Sequence, residues 1–175
     1  MRGQIILSHG SGASPDATKV STLARQAEAR GWVTQRPDYS ADDARGLAEC
    51  VAPRIARLRA TIEALDQPPL LVGSSMGAFV SALVSLSVPV AGLLLLAAPS
   101  EIPGYAHRFD LRGEVPTVLI HGWRDETCPL AGIYQFAGQR KLPLFIVDDD
   151  HRLGASMDII ATQFHSLLDH LAPSA

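Results

Sequence analysis

Cysteine is scarce in this chain. Cys50 and Cys128 are the only two among 175 residues, too few for a disulfide framework and without the spacing of a zinc site. Charge is thin as well. Charged residues make up 19% of the sequence, the net charge is −3, and the basic residues are dispersed. Neither a nucleic-acid partner nor an anionic membrane surface is therefore expected. Val88–Ala98 is apolar but too short to span a bilayer, and it ends in Pro99. There is no internal repeat, low-complexity tract or interdomain linker. Gln4–Leu7 enters a strand almost at once, which leaves no room for a signal peptide. What remains is the expectation of a cytoplasmic protein that spans residues 1–175 as a single domain. Its hydrophobic content of 47% suits a substantial core.

Short apolar runs alternate with stretches of helical periodicity. The runs are Ile5–Leu7, a weaker one at Trp32–Gln35, then Leu70–Val72, Gly92–Ala97, Thr117–Ile120 and Leu144–Val147. Val20, Leu23, Ala24 and Ala27 share one helical face. Leu47, Val51, Ile55, Leu58, Ile62 and Leu65 form a longer stripe that breaks or restarts at Pro53. Pro129 suits the first turn of a further helix, with Thr127 or Cys128 as its cap. Ile159, Ile160, Phe164, Leu167, Leu168 and Leu171 mark an amphipathic helix at the end of the chain. Pro68-Pro69 is a stiff entry into the central strand. The pattern predicts an α/β fold, a mostly parallel six-stranded sheet with helices on both faces. In such a sheet functional groups gather in the loops at the carboxyl ends of the strands.

Four of those loops hold chemistry. After Leu70–Val72 comes Gly73-Ser74-Ser75-Met76-Gly77, followed directly by a helical pattern. A strand-to-helix turn with small residues flanking a serine is the pattern of a nucleophile elbow. It projects the Ser75 hydroxyl outward and leaves the Met76 N–H to meet a developing oxyanion. The first loop reads Ser8-His9-Gly10-Ser11-Gly12. Pro15 stands where a dinucleotide fingerprint needs its third glycine, and no P-loop lysine follows. The loop is better read as a backbone nest whose Ser11 N–H supplies a second oxyanion donor, or as a glycine-rich turn ordered by His9.

The loop after Thr117–Ile120 places Asp125 just beyond a buried strand. It can orient an imidazole or simply cap its turn, and Glu126 is the reserve acid. The loop after Leu144–Val147 holds His151 behind Asp148-Asp149-Asp150. These aspartates are expected to be exposed acids beside a histidine base; with no second histidine at ligand spacing, no metal and no cofactor are expected. Tyr39, Tyr105, Phe109 and Trp123 lie near these loops and either line an acyl pocket or pack the loops.

Ser75, Asp125 and His151 occur in the order of the α/β-hydrolase triad. With His9-Gly10-Ser11-Gly12, His121-Gly122-x-x-Asp125, Pro129 and Asp150-His151, the chain resembles the α/β-hydrolase superfamily from about Gln4 to Leu171. It is most similar to small members without a cap domain, the dienelactone-hydrolase-like proteins and compact cytosolic serine esterases. Two departures are visible: the first two strands of the full sheet are missing, and serine stands where dienelactone hydrolase has cysteine. The resemblance implies a minimal core in which Ser75, Asp125 and His151 are catalytic and Ser11 and Met76 form the oxyanion hole. The Pro99–Glu114 segment is too short for a helical cap. The implied reaction is cleavage of a small-molecule ester, with a thioesterase or a non-catalytic binding protein of the same fold as alternatives.

Overall fold

The structure, a computed structural model, describes residues 2–172; Met1 and residues 173–175 of the expected domain lie outside the described residues. Six strands form one sheet: β1 Gln4–Ser8, β2 Val33–Gln35, β3 Leu70–Ser74, β4 Gly92–Leu96, β5 Thr117–Gly122 and β6 Leu144–Val147. Their spatial order is β2-β1-β3-β4-β5-β6. All five pairings are parallel, so the sheet is fully rather than mostly parallel. The helices are α1 Thr18–Ala29, α2 Ser40–Asp43, α3 Val51–Glu63, α4 Met76–Ser85, α5 Leu130–Arg140 and α6 Met157–Leu171. A single 3₁₀ turn, Gly154–Ser156, precedes α6.

Alternation along each strand divides the core into two layers. Ile6, Leu71, Leu93, Leu95 and Leu119 pack with α3, α4 and α5. Ile5, Leu7, Leu70, Val72, Leu94 and Leu96 pack with α1 and α6. The central strands are covered on both faces, which is why their sequences read as unbroken apolar runs. Each fully buried Leu or Ile contributes about 1.5–3 kcal/mol.

Two prolines set helix starts. α3 begins at Val51, so Pro53 falls in its first turn, where a missing N–H breaks no helical bond. Leu47, expected on the same stripe, is left outside and half exposed. Pro129 takes the position before α5 rather than its first turn, and neither Thr127 nor Cys128 caps that helix through its side chain.

The chain crosses from β1 to β2 in one direction and then builds β3 to β6 in the other. The loops leaving β1 and β3 therefore part at the carboxyl edge and open a crevice there. Between β4 and β5, residues 97–116 contain neither helix nor strand, so no cap domain covers the crevice among the described residues. No helix among the described residues is long and apolar enough to cross a membrane.

Candidate active site

Ser75 joins β3 to α4 with φ 55° and ψ −118°. Such a conformation costs a non-glycine residue on the order of 1–3 kcal/mol and persists only where the surroundings enforce it. The enforcement is visible. The Ser75 N–H donates to the Leu96 carbonyl at 2.9 Å, and the Ser75 carbonyl accepts from Ala78 N–H at 2.9 Å. A Cβ on Gly73 would collide with Gly77 and with the Ala78 Cα, and a Cβ on Gly77 would overlap the Ser8 carbonyl. Both glycines are thus required by the close approach of β3, α4 and β1. The sequence pattern places both in this turn for their small size.

His151 and Asp125 are brought together by a second close approach. A Cβ on Gly122 would overlap the Asp149 carbonyl, so the glycine lets the β5 and β6 loops lie side by side. Trp123 N–H then donates to the Val147 carbonyl at 2.9 Å and Arg124 N–H to that of Asp149 at 3.0 Å. In the resulting array Ser75 Oγ lies 3.0 Å from His151 Nε2, and His151 Nδ1 lies 2.8 Å from Asp125 Oδ2. A carboxylate only accepts, so the Nδ1–H donates to Asp125 and Nε2 accepts from the serine hydroxyl. The Asp125 side chain is fully buried and that of His151 is 25% exposed. Glu126, the reserve acid, is exposed and outside this array.

Two neighbours of Asp125, Cys128 and His121, were given no part in this array by the sequence. Cys128 N–H donates to Asp125 Oδ1 at 2.7 Å. His121 Nε2–H donates to the Cys128 carbonyl at 2.6 Å and lies 3.3 Å from Asp125 Oδ2. Burial holds the His121 imidazole below its ordinary value. Burial, aided by the Asp125 charge, pushes the Cys128 thiol up to about 11. Its sulfur, an Asp125 oxygen and a His151 nitrogen lie within 4.8 Å of one another. These three side chains are the residues a soft metal ion would use, although Asp125 and His151 already bond to each other.

The β1 loop is held from below by Arg54, which is wholly buried. Its guanidinium grips Asp43 through two bonds of 2.6 and 2.7 Å. It also donates to the His9 and Gly10 carbonyls at 2.8 and 3.1 Å and lies over the Tyr39 ring. Asp43 in turn accepts from Gly12 N–H at 3.0 Å. His9 is buried, kept below its ordinary pKa mainly by that burial, and accepts from Tyr39 N–H at 3.1 Å. It orders the loop, as the sequence suggested. Gly10 sits directly against Ser75, where a Cβ would come within 3.4 Å of the serine Cβ. Ser11 is exposed on this loop, and Met76 N–H opens α4. Among the described residues neither N–H donates to a protein acceptor. Arg54 was missed, yet it had a signal: it shares the inward face of α3 with Val51, Leu58 and Ile62.

Asp149 corrects an expectation. Asp148 and Asp150 are exposed, but Asp149 is buried. It accepts from Ser156 Oγ–H at 2.8 Å, Ala155 N–H at 3.0 Å and Asp150 N–H at 2.8 Å. Burial works to raise its pKa, but these bonds outweigh it and hold the carboxyl below its ordinary value. Asp149 is the fastener of the His151 loop, whose Leu153 is itself buried with φ 54°.

A cleft of about 590 Å³ contains Ser75, His151, Gly10, Ser11, Lys19 and Met157. The four aromatics expected beside the acyl pocket do not line it. Tyr39 is wholly buried under the β1 loop, its hydroxyl 2.9 Å from Ser8 Oγ. Tyr105 and Phe109 belong to a separate groove with Phe136. Trp123 is 64% exposed. Apolar rings near loops were absorbed by packing, because the β4–β5 segment folds over α4 and α5 instead of over the crevice.

The family described as alpha/beta hydrolase domain matches residues 1–172. Among solved structures, a candidate hydrolase of the alpha/beta superfamily from Xanthomonas campestris pv. campestris is 38% identical, with a TM-score of 0.91. The match covers 97% of this chain and 99% of that one. An α/β serine hydrolase without lid from Xanthomonas campestris superimposes with a TM-score of 0.72 at 16% identity, over 99% of this chain and 84% of the other. The mouse alpha/beta hydrolase domain-containing protein 10 gives 0.77 at 21%, over 97% and 90%. No curated protein matches the chain.

Proposed function

The chain belongs to the alpha/beta hydrolase domain family, and we propose that it is a serine hydrolase that cleaves a carboxylic ester through an acyl-Ser75 intermediate. One observation carries this reading. Ser75 Oγ, His151 and Asp125 form an unbroken hydrogen-bonded relay, at 3.0 and 2.8 Å, that opens on a cleft. His151 Nε2 removes the serine proton as Ser75 Oγ attacks the carbonyl carbon. Asp125 stabilises the imidazolium as it forms and fixes the ring's tautomer. The Ser11 and Met76 N–H groups receive the oxyanion, each contributing about 3 kcal/mol to transition-state stabilisation. His151 gives its proton to the departing alcohol. A water molecule, deprotonated by the same nitrogen, then releases the acid and restores the Ser75 hydroxyl. No step requires a metal or a cofactor.

The test is reaction with a fluorophosphonate probe, together with hydrolysis of 4-nitrophenyl butyrate. The wild-type protein is expected to label and turn over. Ser75→Ala is expected to lose labelling and about 10⁵-fold or more in kcat. A wild-type protein inert to both reagents, or an Ser75→Ala variant as active as the parent, overturns the reading in favour of a binding role or another nucleophile.

A further inference from the structure

The polar groups of the Ser75 cleft are unbalanced in charge. Lys19 and Arg152 line it, and among the described residues no carboxylate does. Lys19, in the first turn of α1, is half-buried. Its ammonium donates to the Arg152 carbonyl at 2.6 Å, which uses one of three N–H donors. Among the described residues neither Lys19 nor Arg152 has an acidic partner within 4 Å. The carboxylates that influence Lys19 from nearby are Asp149, Asp150 and Asp125, and all three are engaged. Asp149 is held by Ser156, Ala155 and Asp150. Asp150 accepts from Arg152 N–H, and Asp125 from His151 and Cys128.

A partly desolvated ammonium without a counter-charge is unfavourable unless something supplies one. Burial accordingly depresses the Lys19 pKa, with those three carboxylates only partly offsetting it. The missing charge has a natural source in whatever enters the cleft. Apolar wall is contributed by Ala17, Val20 and Met157, which suits a short methylene chain between the reacting carbonyl and an anion.

We infer that the substrate is itself anionic: an ester bearing a free carboxylate, of the half-ester type, whose carboxylate is received by Lys19 with help from Arg152. The inference rests on the serine-hydrolase reading above and deepens it. Lys19 acts here as a specificity-determining residue, remote from the proton transfers.

Two matched pairs of esters test it. In one the anion lies on the acyl side, 4-nitrophenyl hemisuccinate against 4-nitrophenyl butyrate. In the other it lies on the alcohol side, 4-carboxyphenyl acetate against its methyl ester. In at least one pair the anionic member is expected to have the higher kcat/KM, corrected for spontaneous hydrolysis. Lys19→Gln is expected to lower that anionic-to-neutral ratio about tenfold or more, and Lys19→Arg to preserve most of it. Added salt should shrink the preference in the parent.

Two results overturn the inference while leaving the hydrolase intact. One is a neutral ester preferred in both pairs. The other is a Lys19→Gln variant that loses both members of a pair equally, which would make Lys19 a tether for the Arg152 loop. Absence of turnover on all four esters, with no fluorophosphonate labelling, overturns the hydrolase reading and this one with it.

Discussion

Two cavities of nearly equal size differ in almost everything else. The cleft at Ser75 measures about 590 Å³ and the groove among Tyr105, Phe109 and Phe136 about 560 Å³. In the groove the charges are answered: Arg108 pairs with Glu101 and Arg140 with Asp110. Its rings are packed on one another, Phe109 edge-on to Phe136 at 4.9 Å and Tyr105 against Phe79 at 6.1 Å. At the cleft a serine is held at positive φ, its hydroxyl is bonded to His151 and through it to the buried Asp125, and among the described residues neither Lys19 nor Arg152 has an acidic partner within 4 Å. The groove is rich in aromatic surface and the cleft in unspent chemical potential. Strain and unanswered polar groups persist only where something else compensates them, so they point to function more strongly than volume or aromatic content does.

The comparison breaks most readily at the relay's acid. Asp125→Asn keeps size and burial but replaces the carboxylate that fixes the His151 tautomer, and kcat is expected to fall about 10⁴-fold. Glu126→Gln, one residue away and exposed, should leave kcat within about twofold, as a surface change away from the relay. Steady-state kinetics on 4-nitrophenyl butyrate decides between them. If the losses are reversed, the acid has been misassigned although the serine reading stands.

The next test sets one ion pair against another. Arg54–Asp43 lies beneath the β1 loop with side chains 0% and 8% exposed, whereas Arg140–Asp110 at the groove has both near half exposure. Arg54→Met strands a buried carboxylate and is expected to cost about 3–5 kcal/mol in urea unfolding. The same change frees the His9 and Gly10 carbonyls, so the loop carrying Ser11 N–H loses its position against Ser75. A lower kcat should follow, with little change in KM, because the proposed oxyanion contact is one made in the transition state. Arg54→Met combined with Asp43→Asn removes the stranded charge. It is expected to recover much of the stability but not the kcat. Recovery of both would mean that the pair acts on the fold alone.

That pair also marks where the sequence ceased to be legible. The central strands were readable because a doubly covered parallel sheet writes them as apolar runs; the edge strand β2, Val33-Thr34-Gln35, gave only the weaker signal, and all six strands fell at the expected places. Ser75, Asp125 and His151 were readable because their loops follow strands in one fixed order, although only coordinates bring their atoms within hydrogen-bonding distance. Arg54 was hidden because periodicity counts apolar residues, and an arginine on the inward face of α3 registers only as a gap. The close approach of Gly122 to Asp149 was hidden because it joins two loops distant in sequence, and Asp149's part was hidden because a run of three aspartates does not say which one turns inward. The aromatics misled for a related reason: proximity to a loop in sequence does not say which side of the sheet that loop folds over.

The smallest effect is expected at the groove itself. Arg140 is 43% exposed and its partner Asp110 44% exposed, with the guanidinium also 5.2 Å from the centre of the Phe136 ring. An exposed pair is screened by water and salt and contributes about 0–1 kcal/mol. The cation–ring contact adds about 0.5–1 kcal/mol at such a site. Arg140→Gln removes both and keeps much of the aliphatic stem over Phe136, so the melting temperature should fall by a few degrees at most. Hydrolysis of 4-nitrophenyl butyrate should be unchanged, since no residue of the groove also lines the cleft. The same variant should leave the ratio between anionic and neutral esters untouched, in contrast to Lys19→Gln. A tenfold loss of kcat/KM in Arg140→Gln, with the melting temperature preserved, would mean that the groove communicates with Ser75. The division between a packed side and a reactive side of this molecule would then have to be abandoned.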